Sequence, residues 1–401
     1  MIPLIPSSRL DSLPPHPEND ALVQQVAKLA RDKFAPRAVR YDTYASFPRE
    51  NYEDLREAGL LGMLVPREYG GPGVDPLTYY RCLLEMAKGC PATALTFNMH
   101  ANVIGIFING MGTEAQKRHY FAEVLEGGKI FASITSEPES SWRDRLVLRT
   151  RFRPNGDGYR VDGVKHFCSL GDAADYYFVS GLVEGTATAA EGILSALIPR
   201  EGSGITVARQ WNATGMRGTT SHTLRYDTQV TGAEIIGTPG QFITLDLSGF
   251  ATGYAATYLG VAEAAFDYIV EYARTRSVAP SPDPLSHHPL TQRSVGEMAI
   301  QIRAARLLLY EAARLQQSGS REEVALAVNQ AKFCAAEAGT QVTQQAMRLA
   351  GGSGYLKDLP LERWHRDSLA GPVMPPANDR CLETIGRIMC GLPLRGSLEI
   401  E

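Results

Sequence analysis

The sequence predicts an α+β multidomain chain: an N-terminal helical domain, a central antiparallel β-barrel or sandwich, and a C-terminal helical bundle. Two observations carry this. The hydrophobic period is helical to about residue 128, alternates at the strand period to about 237, and is helical again from about 241. The central strands follow one another with no helices between them, which favours antiparallel pairing. The boundaries fall at 1–129, 130–240 and 241–401.

In the first part Leu22, Val26, Leu29 and Ala30 line one helix face, Gly59 marks a helix stop, and Asp75 with Pro76 and Thr113 mark helix starts. In the second, "IFASIT", "LVLRTRFR", "YRVDGVKHF", "DYYFVSG", "ILSALIP" and "HTLRYDTQV" read as strands. Asn155-Gly156 and Asp162-Gly163 read as hairpin turns. In the third, Val295, Met298, Ala299, Ile302, Ala305 and Leu309 form one stripe, and Ser320 with Glu323 a capping box. The Ala-rich helix that follows is apolar around much of its circumference, which suits a subunit interface.

With 401 residues, 44% of them hydrophobic, the chain can bury a large core. A formal charge of -4 argues against nucleic acid or an anionic membrane as partner and favours a small molecule. The cysteines Cys82, Cys90, Cys168, Cys334, Cys381 and Cys390 have no metal-ligand spacing, so no metal site is expected, and they read as reduced thiols of a cytoplasmic protein. The first residues lack a secretory pattern and no apolar run reaches about 18 residues, so neither export nor membrane spanning is expected.

Six stretches in one order resemble the acyl-CoA dehydrogenase family: "LGMLVPREYGGPGVD", "ITSEPESSW", "GYRVDGVKHFCSLGDAADYYFV", "ATGMRGTT", "YLGVAEAAFDYIVEYARTR" and "RLAGGSGYLKDLPLERWHRD". The last is the most specific, because glycine cluster and charged run keep their spacing together. The resemblance implies a four-helix bundle at the C-terminus, FAD (or FMN) as cofactor, and a homotetramer or homodimer. An acyl-CoA or carrier thioester would be oxidised at its CH–CH bond, with an electron-transfer flavoprotein as acceptor. It assigns flavin contacts to Thr135, Ser136, Phe167 (for the family's tryptophan), Cys168 and Ser169. Arg276 matches the arginine that reaches the neighbouring subunit's FAD, and Arg348, Gly351, Gly352 and Gly354 would meet the pyrophosphate, which suits glycines that let backbone approach closely. Met99, His100, Phe250, Tyr254, Met374 and Pro375 would line the substrate pocket.

The departures matter as much. Arg348 stands for a glutamine, Ala279-Pro280 for Phe-Gly, and "EPESSWRDR" lacks the family's glycines and serine. The family's glutamate base lies either eight residues after the R-D pair, which here is Pro375, or ten before the glycine of Leu259-Gly260, which is Phe250, followed by Ala251 in place of arginine. Neither can accept a proton, so His100 and Asp379 are the candidate catalytic groups. The missing base also leaves room for two alternatives: a monooxygenase of the same fold, fed reduced flavin by a reductase and using O2 on a small organic substrate with His100 beside the oxygenated flavin, or a non-catalytic FAD-binding protein.

Overall fold

A computed structural model describes residues 17–138, 148–186, 188–201 and 204–394. The stretch 139–147, which carries the altered flavin loop and part of the expected strand "LVLRTRFR", lies outside the described residues. Helices come first: α1 (Pro17–Leu29), α2 (Ala35–Tyr44), α3 (Arg49–Glu57), α4 (Pro76–Gly89), α5 (Pro91–Asn102), the single turn α6 (Asn109–Met111) and α7 (Glu114–Leu125). Their starts follow local chemistry. The Asp75 carboxylate accepts from the Thr78 N–H at 3.1 Å, with Pro76 in the first turn where a missing N–H costs nothing. Thr113 and Gln116 complete a reciprocal capping box. Gly59, at φ +70°, follows α3 in the left-handed region.

The strands are β1 (Phe131–Ile134), β2 (Arg151–Asn155), β3 (Gly158–Cys168), β4 (Tyr176–Val183), β5 (Ile193–Pro199), β6 (Ile205–Arg209), β7 (His222–Val230) and β8 (Ile235–Ile236), with one helical turn, α8 (Ala189–Gly192), before β5. Their order is β6-β7-β3-β2-β4-β5-β8, with β1 also on β4. The sheet is therefore mixed, which corrects the antiparallel expectation. β1 runs parallel to β4 over residues 131–134 against 176–179, and β2 runs parallel to it at 151 and 152 against 182 and 183. These pairings join segments far apart in sequence, and no turn residue announces them. β5 is buried along nearly its whole length, which suits its mostly apolar run, and the one hydroxyl in it, that of Ser195, pairs with Ser180 at 2.9 Å.

Gly156 does close the β2–β3 hairpin at φ +61°. Asp162-Gly163, read as a turn, instead lies inside β3. The glycine is there for space: a Cβ on Gly163 would stand 2.3 Å from the Thr150 hydroxyl oxygen.

The last part holds α9 (Ser248–Thr275), α10 (Pro289–Ser318), α11 (Arg321–Ala350), α12 (Leu361–Ser368) and α13 (Asn378–Met389). Met298, Ile302, Ala305 and Leu309 of the expected stripe are fully buried, and Val295 and Ala299 pack at its edge. Ser320 and Glu323 form the capping box of α11. Where α9 crosses α5, a Cβ on Gly253 would fall 1.9 Å from the Asn98 side-chain oxygen, so the glycine sets the helix separation. Buried charge ties the same face together: Arg306 of α10 donates from Nε to Glu263 of α9 at 3.0 Å, and Lys88 of α4 stands 3.7 Å from the same carboxylate.

Candidate active site

Two segments of the sheet domain meet beside the bundle. At the end of β3 the chain bends through Phe167 and Leu170, both at positive φ, and the Leu170 and Gly171 N–H groups donate to the Thr219 and Thr220 carbonyls. Phe167 is 58% exposed, unusual for a large aromatic, with the His166 ring 4.2 Å away and Trp211 edge-on at 6.1 Å. An exposed ring held by strained backbone suits a surface that a planar partner covers. Thr135 and Ser136, just beyond β1, are half-buried, and the Ser136 carbonyl accepts from the His166 N–H at 2.8 Å, which brings the two segments together. Ser169 keeps a small open edge at 7% exposure, and its hydroxyl pairs with Ser221 at 2.9 Å. Cys168 points into the core with no exposure, and burial pushes its thiol up to about 12. Only its backbone is left for a ligand, so its assignment as a contact is corrected to that extent.

Below the sheet a buried pair escaped the sequence reading. Lys165 reaches Glu137 at 2.7 Å and the Ser180 carbonyl at 2.5 Å, while the Thr150 N–H donates to the same carboxylate at 3.2 Å. The pair clamps the stretch after Ser136 to β3 and β4. The "EP" and "GVK" words held both residues, but nothing in them showed that they meet.

The residues expected to line the substrate pocket fall on α5, α9 and the segment after α12. Phe250 is half-buried, and Phe107 contacts both its ring (centroids 5.6 Å) and that of Phe178 on β4 (4.0 Å). The Asn98 amide donates to the Phe250 carbonyl at 3.1 Å. One helical turn on, the Tyr254 hydroxyl lies 3.7 Å from the Met99 sulfur, with both residues buried. Met374 is half-buried and Pro375 exposed.

Of the two candidate catalytic groups, His100 is excluded by its geometry. His100 has no exposure. Its Nε2–H donates to the Leu61 carbonyl and its Nδ1 accepts from the Phe131 N–H, each at 3.1 Å. Burial pushes its pKa down to about 4, so the ring is neutral and has no free nitrogen. It is a core residue among Tyr52, Phe97 and Phe131. Asp379 is exposed in the first turn of α13, where it suits the helix dipole. The buried carboxylates among the described residues are also engaged elsewhere: Glu137 by Lys165, Glu263 by Arg306, and Asp367 by the Met216 N–H at 2.6 Å. Burial pushes Asp367 up to about 6 despite Arg363 nearby.

The pyrophosphate set lies apart from the pocket. Arg276 follows the C-terminus of α9, 26 residues beyond Phe250, or about 39 Å along the helix. Arg348 and Gly351 sit at the C-terminus of α11. Both arginines are exposed, with no side-chain hydrogen bond or ion pair among the described residues. A Cβ on Gly351 or Gly352 would meet nothing, whereas one on Gly354 would strike the Met347 carbonyl at 2.5 Å. Gly354 therefore serves packing, and the open backbone is that of Gly351 and Gly352.

The exposed Phe167 ring and the hydroxyls beside it fit the ring system of a flavin, and the uncompensated arginines at the ends of α9 and α11 fit a pyrophosphate. With two helical units flanking the sheet, they define a flavoprotein oxidoreductase. The family model for the acyl-CoA dehydrogenase N-terminal domain matches residues 16–128, the middle-domain model 132–228 and the C-terminal-domain model 243–389. A short-chain-specific acyl-CoA dehydrogenase of Clostridium acetobutylicum is 31% identical over 355 residues, covering 88% of this chain and 92% of that protein. A 3-(aryl)acrylate reductase of Clostridium sporogenes is 30% identical over 353 residues, covering 85% and 91%. Butyryl-CoA dehydrogenase from Megasphaera elsdenii has a similar structure, with a TM-score of 0.86 at 26% identity, covering 95% of this chain and all of that one. The chain belongs to the acyl-CoA dehydrogenase family, whose members are FAD-dependent oxidoreductases.

Proposed function

We propose that the protein oxidises the CH–CH bond of a small acyl group presented as a CoA or carrier thioester. The observation that carries this is the apolar seam between α5 and α9 that the family resemblance assigns to the acyl group. Phe250, Tyr254 and Met99 belong to it, and the contact of 3.7 Å between Tyr254 and Met99 would leave little depth for a long chain. A bound flavin supplies a two-electron acceptor. Phe167 offers a face to stack on, Ser169 a hydroxyl, and the apolar walls exclude water.

FAD rather than FMN is favoured by Arg276, Arg348 and the open backbone of Gly351 and Gly352, which suit a pyrophosphate. Because these residues stand far along the bundle from Phe250, a second copy is the reading's source for one of the two sets. Exposed Ile300, Leu307, Leu382 and Met389 on α10 and α13 offer apolar surface for a homodimer or homotetramer. An electron-transfer flavoprotein completes turnover, and six free cysteines suit a reducing cytoplasm. Among the described residues no helix is long and apolar enough to cross a membrane.

With Phe250 and Pro375 at the base positions, no carboxylate stands at either customary place to receive the α-proton. The reading therefore favours thioesters with an acidified α-carbon. The test is an anaerobic titration with short acyl-CoA and aryl-activated thioesters. Bleaching of the oxidised flavin by at least one supports it, and a full panel without bleaching overturns it. The same absence favours a second reading, monooxygenation, which needs no α-proton removal. Chemically reduced protein mixed with O2 would then oxygenate a small organic substrate; O2 consumption with no oxygenated product sinks that reading.

A further inference from the structure

Three hydroxyls run in line from the open edge beside Phe167 into the protein. Ser169 Oγ lies 2.9 Å from Ser221 Oγ, Ser221 Oγ lies 2.7 Å from Thr219 Oγ1, and Thr219 Oγ1 lies 2.9 Å from the Met216 carbonyl oxygen. All three side chains are at least nine-tenths buried, so water does not compete for them. The backbone fixes the alignment, since the Leu170 and Gly171 N–H groups hold one segment against the Thr219 and Thr220 carbonyls at 3.0 and 3.1 Å.

The inner end of the chain decides its behaviour. The Met216 carbonyl accepts from the Trp211 Nε1–H and from the Thr219 N–H, each at 3.1 Å, as well as from the Thr219 hydroxyl. Two N–H donors already match its two lone pairs, so the hydroxyl can turn away without orphaning the carbonyl. Each hydroxyl carries one proton, which leaves two complete arrangements. In the inward one, Ser169 donates to Ser221, Ser221 to Thr219 and Thr219 to Met216, and Ser169 offers a lone pair at its open edge. In the outward one, Thr219 donates to Ser221 and Ser221 to Ser169, and Ser169 offers its proton. Every donor faces an acceptor in both, with the Met216 carbonyl shared among three donors in the inward one, and each bond polarises the next in the same sense.

We propose that Ser169, Ser221 and Thr219 form a reversible hydroxyl chain, which lets Ser169 donate to an oxidised flavin and accept from a reduced one. This rests on the flavin reading above. The flavin nitrogen N5 is an acceptor when oxidised and an N–H donor when reduced, so a fixed partner would suit one state and penalise the other. Ser221 and Thr219 are positioning residues that act through Ser169.

Cutting the chain has a signed consequence. In Ser221→Ala, Ser169 can still donate outward, but when it must accept, its own proton has no partner. A buried orphan donor costs more than a lost acceptor contact. The reduced form is therefore disfavoured by roughly tenfold, a fall of about 30 mV for a two-electron couple.

The experiment measures the midpoint potential of FAD-reconstituted protein by dithionite titration against a reference dye, together with the affinity for oxidised FAD. Ser221→Ala is expected to lower the potential while the affinity changes little. Thr219→Val should lower it less, and Thr219→Ser should restore the wild-type value. An unchanged or raised potential in Ser221→Ala with flavin bound overturns the proposal. If Ser221→Ala fails to fold, the Thr219 pair decides: equal potentials for the valine and serine variants overturn it. Wild-type protein that binds no flavin overturns the underlying reading and the chain's role with it, a distinct outcome from bound flavin with unmoved potentials.

Discussion

His100→Ala separates a core role from a catalytic one. The substitution removes an acceptor from the Phe131 N–H and a donor from the Leu61 carbonyl, and it empties a ring volume enclosed by Tyr52, Phe97 and Phe131. An orphaned buried polar group costs about 1–3 kcal/mol, and an unfilled ring-sized cavity adds about 2 kcal/mol or more. Because the contributions overlap, the expected loss is about 4 kcal/mol at pH 7. The ring also sets a pH dependence. Its folded pKa of about 4 lies below the ordinary 6.5, so the folded chain refuses a proton that the unfolded chain takes up. That contribution is complete above pH 6.5 and is lost as the pH falls toward 4, a change of about 3 kcal/mol. Urea denaturation of both proteins at neutral pH and near the acid end reads both quantities. The difference between wild type and variant should shrink on acidification. A variant within about 1 kcal/mol of wild type at pH 7 that has nonetheless lost turnover would return His100 to the chemistry and refute this reasoning.

Other substitutions probe other parts. Phe167→Ala should leave stability nearly unchanged, because the ring is exposed, yet weaken FAD binding roughly three- to tenfold in an equilibrium titration; equal affinity would remove the stacking role. Arg306→Met takes the guanidinium away from the buried Glu263 carboxylate, and should cost about 3 kcal/mol or more by denaturant midpoint. Asp379→Asn should change neither turnover nor stability beyond about 0.5 kcal/mol, since the side chain is exposed. A sharp drop in turnover would make Asp379 the base after all.

What the sequence disclosed follows the range of the interactions. Asp75, Thr113 and Ser320 announce helix starts because a cap is made within three residues. Gly156 announces a hairpin for the same reason. The parallel pairings of β4 with β1 and β2 join distant segments and have no local signature. Gly163 was misread because Asp-Gly in isolation favours a turn, while the close approach of Thr150 gives the glycine a different purpose. His100 was ambiguous for a related reason: its partners are backbone atoms of Leu61 and Phe131, which every residue type supplies. Gly351 and Gly352 kept the open backbone that their motif suggested, and Gly354 did not. The hydroxyl chain was half visible, with Ser169 marked by its motif and Ser221 and Thr219 by nothing.

A flavin facing an acyl site with no carboxylate at either customary base position is tested most directly by restoring one. Wild-type protein and Phe250→Glu, both loaded with FAD, are mixed anaerobically with butyryl-CoA and the bleaching rate is measured. A restored base should speed bleaching by about 10² or more. Equal rates would mean that a base already serves the acyl site from elsewhere, and no bleaching in either protein would mean that the site does not hold an acyl thioester against the flavin.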